Sequence, residues 1–188
     1  MAIDPQEIIP GLGGNPAEKQ VATKILTQLD AAAVPALLSA IEHAEMSIAI
    51  EAVNILAVIR DKRALPLLLQ TVEAEHPLLA GQAVHAVAAY PETDDILGLF
   101  DALPRVSVII QQTILVALQR RSDPTVAPYI VSYLETTKSA LMRSATIKTL
   151  IKLGDPDVLP AITPFLSDPD HHVREWASEA VKVLKTSS

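Results

Sequence analysis

Five histidines, His43, His76, His85, His171 and His172, are the only soft-ligand candidates in the chain. An imidazole that binds zinc or iron needs further nitrogen, sulfur or carboxylate partners at set spacings. No thiolate can help, because the sequence has no cysteine. Glu42-His43 and Glu75-His76 stand at the ends of short apolar segments with no third ligand in register. His171-His172 opens an amphipathic segment, where water suits both rings. Gly11-Leu12-Gly13-Gly14 follows no strand and lacks the lysine of a phosphate-binding loop, so it is expected to be a flexible turn. No Ser-His-Asp or Cys-His set can be assembled. The residues thus predict no catalytic group, no metal ligands and no resident cofactor.

The elements that would position any site must come from an aliphatic, weakly charged chain. Of 188 residues, 49% are hydrophobic, 20% charged and 3% aromatic, which favours a packed core over disorder. A formal charge of −7 argues against nucleic acid, whose phosphates demand a surplus of cations. Mean hydropathy is +0.30, yet the longest uncharged run, His76 to Pro91, is 16 residues and holds Pro77 and Gly81. That run is too short and too broken to span a bilayer. The opening residues, Met1-Ala2-Ile3-Asp4-Pro5, show no export signal. A cytoplasmic protein with no membrane insertion is expected.

One period organises the sequence. The twelve residues Val173–Leu184 align without gaps on segments that begin at Met142, Ile110, Leu79, Ile48 and, more weakly, Ala17. Successive starts lie 31, 31, 31, 32 and 31 residues apart. Predominantly apolar columns at positions 1, 5, 8, 9 and 12 mark a helical stripe; position 9 reads Ile25, Leu56, Val87, Leu118, Leu150 and Val181. Between these segments an acid recurs at Asp30, Asp61, Glu92, Asp123 and Asp155. Proline follows five residues later at Pro35, Pro66, Pro128 and Pro160, whereas Gly98 follows Glu92 by six. A carboxylate suits a helix start, and proline suits either a first turn or a kink deeper in. Each unit therefore predicts an antiparallel pair, helix A after the proline and helix B over the aligned segment. The expected architecture is all-α, a solenoid of about six helical hairpins in one domain over residues 1–188. Its repeats fall near 4–30, 31–61, 62–92, 93–123, 124–155 and 156–186, the first with a reduced helix A near Asp4–Leu12.

The pattern resembles the HEAT-like repeats of the phycobilisome-lyase (E–Z) type, most closely over Gly154–Leu184. The family's turn, Asp followed by Val-Arg, is intact only at Asp170, Val173 and Arg174, with an echo at Met142-Arg143. Its Arg–Asp ladder is therefore expected to be mostly missing. The wider group includes di-iron hydroxylases with His-Glu ligand pairs, and no His-Glu dipeptide occurs here. It also includes DNA glycosylases with a basic concave face, which the charge balance does not match.

The resemblance implies that B helices line a concave face. Positions 3, 7 and 10 then point away from the apolar stripe. In the second to fourth repeats they are Ile50, Asn54, Ala57, Gly81, His85, Ala88, Gln112, Val116 and Gln119, none with a formal charge. A solvated helix face is ordinarily rich in Lys and Glu. The expected partner-binding residues are Ile50, Glu51, Asn54, Gln82, His85, Gln112, Thr113, Val116, Arg120, Lys148 and Trp176. Trp176 could equally close the C-terminal core. Charge also divides along the chain: residues 1–104 hold 5 basic and 14 acidic side chains, and residues 105–188 hold 10 and 8. A non-catalytic protein-binding scaffold or adaptor is the leading expectation, with a protein partner in the groove and room for a heterodimer. The resemblance implies two alternatives. One is a bilin lyase subunit or chaperone that holds a bilin transiently beside a phycobiliprotein. The other is an assembly or degradation factor for a cofactor-carrying protein, such as a phycobilisome or an iron–sulfur carrier.

Overall fold

The computed structural model describes residues 3–186. They contain helices, short 3-10 turns and no strand, an all-α solenoid of helical hairpins. Two compact units divide at Leu99–Phe100. The first holds α1 (Pro5–Ile8) with a 3-10 turn over Ile9–Gly13, α2 (Pro16–Leu29), α3 (Val34–His43), α4 (Met46–Ile59), α5 (Leu65–Val72) and α6 (Pro77–Ala88). Helix α7 (Thr93–Ala102) contributes to both. The second unit continues with α8 (Val108–Arg121), α9 (Ala127–Thr136), α10 (Ala140–Leu153), α11 (Leu159–Ile162) with a 3-10 turn over Thr163–Ser167, and α12 (His171–Thr186). Odd-numbered helices are the A helices and even-numbered ones the B helices. In the first unit α3 packs on α4 and α5 on α6, while α4 also packs on α2 and α6. In the second, α9 packs on α10 and α11 on α12, and α10 also packs on α8 and α12.

Position 9 is the centre of each core. Leu56, Val87, Leu118 and Leu150 are fully buried, whereas Ile25 and Val181 are half-buried. The difference follows from position, because a terminal repeat has a neighbour on one side only.

The acid and proline markers have a common geometry. Asp61, Asp123 and Asp155 accept hydrogen bonds from the backbone N–H of Arg63, Thr125 and Asp157, at 2.9, 3.0 and 2.9 Å. Each caps a 3-10 turn, and helix A starts only after that turn. Pro35, Pro66, Pro128 and Pro160 all occupy the second helical residue, where the missing N–H has no intrahelical acceptor to lose. None kinks a helix. Asp30 differs: it closes α2 with φ of 49° and caps nothing. Gly98 is not a helix start either. It lies within α7, where a Cβ would stand 2.7 Å from the methyl groups of Leu69.

The first repeat is reduced as expected, α1 having four residues. Its glycines are packed and do not form a flexible turn. A Cβ on Gly11 would lie 3.0 Å from that of Ala22, and one on Gly13 3.1 Å from Ile48. Absent side chains let this short hairpin close on α2 and α4. No single helix among the described residues is long and apolar enough to cross a membrane.

Candidate functional site

The inner B helices α4, α6, α8 and α10 bury positions 5, 8 and 9 and turn position 7 outward, so the sequence places the candidate residues by register. On α4 and α6, Ile50, Asn54, Gly81, Gln82 and His85 are half-buried, as are Ala57 and Ala88. Glu51, also half-buried, is engaged by Lys19 of α2 at 3.0 Å. The acid of this face therefore serves a repeat-to-repeat bridge. On α8, Gln112, Val116 and Arg120 are exposed and Thr113 is half-buried. Val116 is 40% exposed, a large aliphatic group held in water. The Thr113 hydroxyl donates to the Ile109 carbonyl of its own helix at 2.9 Å, so towards a partner it can only accept. Gln119 donates to Thr149 Oγ1 of α10 at 2.8 Å. Lys148 Nζ lies 4.3 Å from the centre of the Trp176 ring, a cation–π contact that ties α10 to α12. Trp176 is half-buried and lines a surface cleft of about 500 Å³ with Glu175, Ser178, Glu179 and Lys182.

The face is thus two patches, one on each unit. Ile50, Glu51, Asn54, Gln82 and His85 belong to the first unit, and Gln112, Thr113, Val116, Arg120, Lys148 and Trp176 to the second. Lys148 and Trp176 are brought together directly. The other candidates share a helix face without a mutual hydrogen bond.

The metal expectations fall on scattered groups. No cluster of three or more His, Asp or Glu side chains is close enough to hold an ion among the described residues. His171 and His172 each reach the Glu175 carboxylate at 3.3 Å on an exposed helix surface. Such contacts suit a solvated helix start.

The polar residues that organise the repeats lie elsewhere; the family turn pointed to Arg143 and Arg174, and sequence reading missed Gln111. Position 2 carries Gln111, Arg143 and Arg174 in the last three repeats. Gln111 donates to the carbonyls of Leu103 and Val106, Arg143 to that of Lys138, and Arg174 to those of Asp168 and Pro169. Each side chain closes the A–B turn of its own repeat. The signal was visible as a switch from Ala49 and Ala80 to long donors at one aligned position. Arg143 also makes an Arg–Asp rung of the ladder, two hydrogen bonds to Asp168 at 2.7 and 2.9 Å. Hydrogen bonds from the Arg143 guanidinium hold the Asp168 carboxyl below the usual carboxylate range, against burial, which pushes it up. In the first unit the repeats are tied differently. Arg63 donates to the Ala31 carbonyl at 2.8 Å, and the Tyr90 hydroxyl to the Asp61 carbonyl at 2.8 Å. Burial, helped by the charges of Asp61 and Asp95, pushes the Tyr90 phenol up to about 12, so it remains a donor at any physiological pH.

The family model for HEAT repeats matches residues 96–182. That match covers just under half of the chain, whose helical hairpins are HEAT-like in fold. No curated protein sequence matches it. Among solved structures, the complex of CpcE and CpcF of phycocyanin lyase from Nostoc sp. PCC7120 is similar, with a TM-score of 0.55 and 20% identity over 81% of this chain and 65% of that chain. YibA from E. coli is similar with a TM-score of 0.53 and 17% identity over 89% of this chain and 63% of that chain. The HEAT-like chain therefore spans slightly less than two thirds of either neighbour. At such identities the likeness is one of fold.

Proposed function

We propose that this HEAT-like protein is a non-catalytic scaffold or adaptor that receives a protein partner on its B-helix face. One observation carries the reading. The outward positions of α4, α6 and α8 hold no formal charge, yet they are half-buried or exposed and include Ile50 and Val116. A helix face meant only for water gains nothing from such residues, whereas a contact surface gains apolar area and a few hydrogen-bond groups. Asn54, His85 and Gln112 supply the polar part.

The test is co-purification from the native host with the full chain as bait. Ile50→Glu and Val116→Glu should each lose the captured protein, because a carboxylate buried without a partner costs several kcal/mol. Glu42→Lys and Glu135→Lys, on the exposed ends of α3 and α9, should keep it. The opposite pattern assigns the working surface to the A helices.

The fold likeness to the CpcE–CpcF complex favours one second reading, a lyase-related subunit of a heterodimer that handles a bilin. Visible absorbance in the co-purified complex, lost together with the partner in Val116→Glu, supports that reading. A colourless complex leaves the adaptor.

A further inference from the structure

The first B helix shows to solvent a face that its counterparts bury. At position 5, Ala52 and Ala83 of α4 and α6 are fully buried, as are Thr146 and Ala177 of α10 and α12. The same position in α2 is Val21, 58% exposed. At position 8, Ile55, Ala86, Thr149 and Ala180 are buried, while Lys24 is exposed. Position 6 behaves in the opposite way. Ala22, Val53, Leu115 and Ile147 are buried, and Ser178 of the last B helix is half-buried. Positions 5 and 8 therefore pack toward the preceding repeat, and position 6 packs toward the following one. Among the described residues the first and last repeats have a neighbour on one side only, and a repeat side left to water is ordinarily polar. Ser178 fits this at one end. Val21 does the reverse at the other, beside a groove of about 420 Å³ between α1 and α2 that Ile8, Gly11 and Ile25 line and Glu7 and Glu18 rim.

Charge selects the occupant. If two α2 helices pair antiparallel with Val21 on the two-fold axis, residue 18 of one stands level with residue 24 of the other. Glu18 and Lys24 are both exposed and of opposite sign, so the pairing satisfies both at each end of the contact. Glu18 keeps one oxygen for its capping bond from Asn15 N–H at 2.9 Å and has the other to offer. A two-fold interface requires such self-complementarity, in which i meets j and j meets i.

We propose that the α1–α2 face is a self-association site: two copies pair through antiparallel α2 helices about Val21, with Glu18–Lys24 bridges on either side. A hairpin-on-hairpin contact is small, so the dimer is weak and forms at high protein concentration. Its bridges are exposed, so salt loosens it. The surface is separate from the B-helix face proposed above for a partner, and its test reads only self-association.

Sedimentation equilibrium of the full chain from ~10 to ~500 μM measures it, a range that brackets a weak dimer. The parent should approach dimer mass at the upper end. Val21→Glu and Lys24→Glu should each weaken association at least tenfold, and circular dichroism melts confirm that they fold. Lys24→Glu carries two acids at the contact and Glu18→Lys two bases, so neither should pair with itself while an equimolar mixture should pair. If loss of the capping bond unfolds Glu18→Lys, Lys24→Glu alone decides. A parent that stays monomeric at ~500 μM overturns the proposal. So does Lys24→Glu pairing as tightly as the parent, folded Glu18→Lys failing to pair with it, or association lost in Val116→Glu but kept in Val21→Glu.

Discussion

Gly154 closes α10 in the left-handed region, with φ of 73°, and Arg60 and Ser122 do the same for α4 and α8 at 56° and 53°. This residue immediately precedes the capping Asp in each of those repeats, so one backbone device recurs with three side chains. Only Gly154 adopts it without steric cost. A Cβ there would meet nothing within 4 Å, which leaves backbone conformation as the whole effect. Gly154→Ala should cost about 1 kcal/mol in a urea melt, and an unchanged midpoint would remove the strain argument. Arg143 is the second sensitive residue. Its side chain is 13% exposed and that of Asp168 6%, so Arg143→Ala leaves a buried carboxylate without its paired guanidinium, with the charge of Arg174 and the Asp170 N–H still to support it. A loss of about 3–5 kcal/mol is expected. The pH dependence has a fixed sign. Asp168 is held below its unfolded value near ~3.9, so its contribution is complete above that pH and disappears as pH falls through the lowered folded value. Asp168→Asn should flatten the acid limb of stability against pH, and an identical limb would show that other carboxylates set it.

At the scale of elements, the B helices were legible because one stripe repeats at a steady interval. Buried Leu56, Leu118 and Leu150 lie where the periodicity places them. Leu118→Ala should cost roughly 2–5 kcal/mol, and a melt within error of the parent would contradict the register. The A helices were less legible. Composition alone could not distinguish proline in a first turn from proline at a kink. The structure resolves this through the 3-10 turn between the acid and the helix, which moves each proline to the second helical residue. Turns of this kind leave no hydrophobic period to read. Gly98 misled for a related reason, since its smallness answers to Leu69 in another helix and not to its own chain neighbours. The candidate face was legible as a register and not as a constellation. Position 7 does point outward, but engagement of Glu51 by Lys19 and of Lys148 by Trp176 depends on residues a whole repeat away.

Across the whole molecule, the acidic and basic halves carry different ties between repeats. The first unit adds to its Lys19–Glu51 and Lys62–Asp95 ion pairs two side chains aimed at backbone carbonyls, Arg63 and Tyr90, and the second has the buried ion pair Arg143–Asp168. Neither set lies on the outward B-helix positions, which remain uncharged from Ile50 to Gln119. Function is therefore argued from what the repeats leave over after they have packed. We propose that this leftover face binds a protein. Side-by-side co-purification with parent, Val116→Glu and Glu135→Lys baits tests it, because Val116 is 40% exposed and lies outside the buried core, and circular dichroism checks that the variant folds. The account predicts that a captured protein is retained by the parent and Glu135→Lys and lost from Val116→Glu. Equal capture by Val116→Glu, with loss from Glu135→Lys, would contradict it.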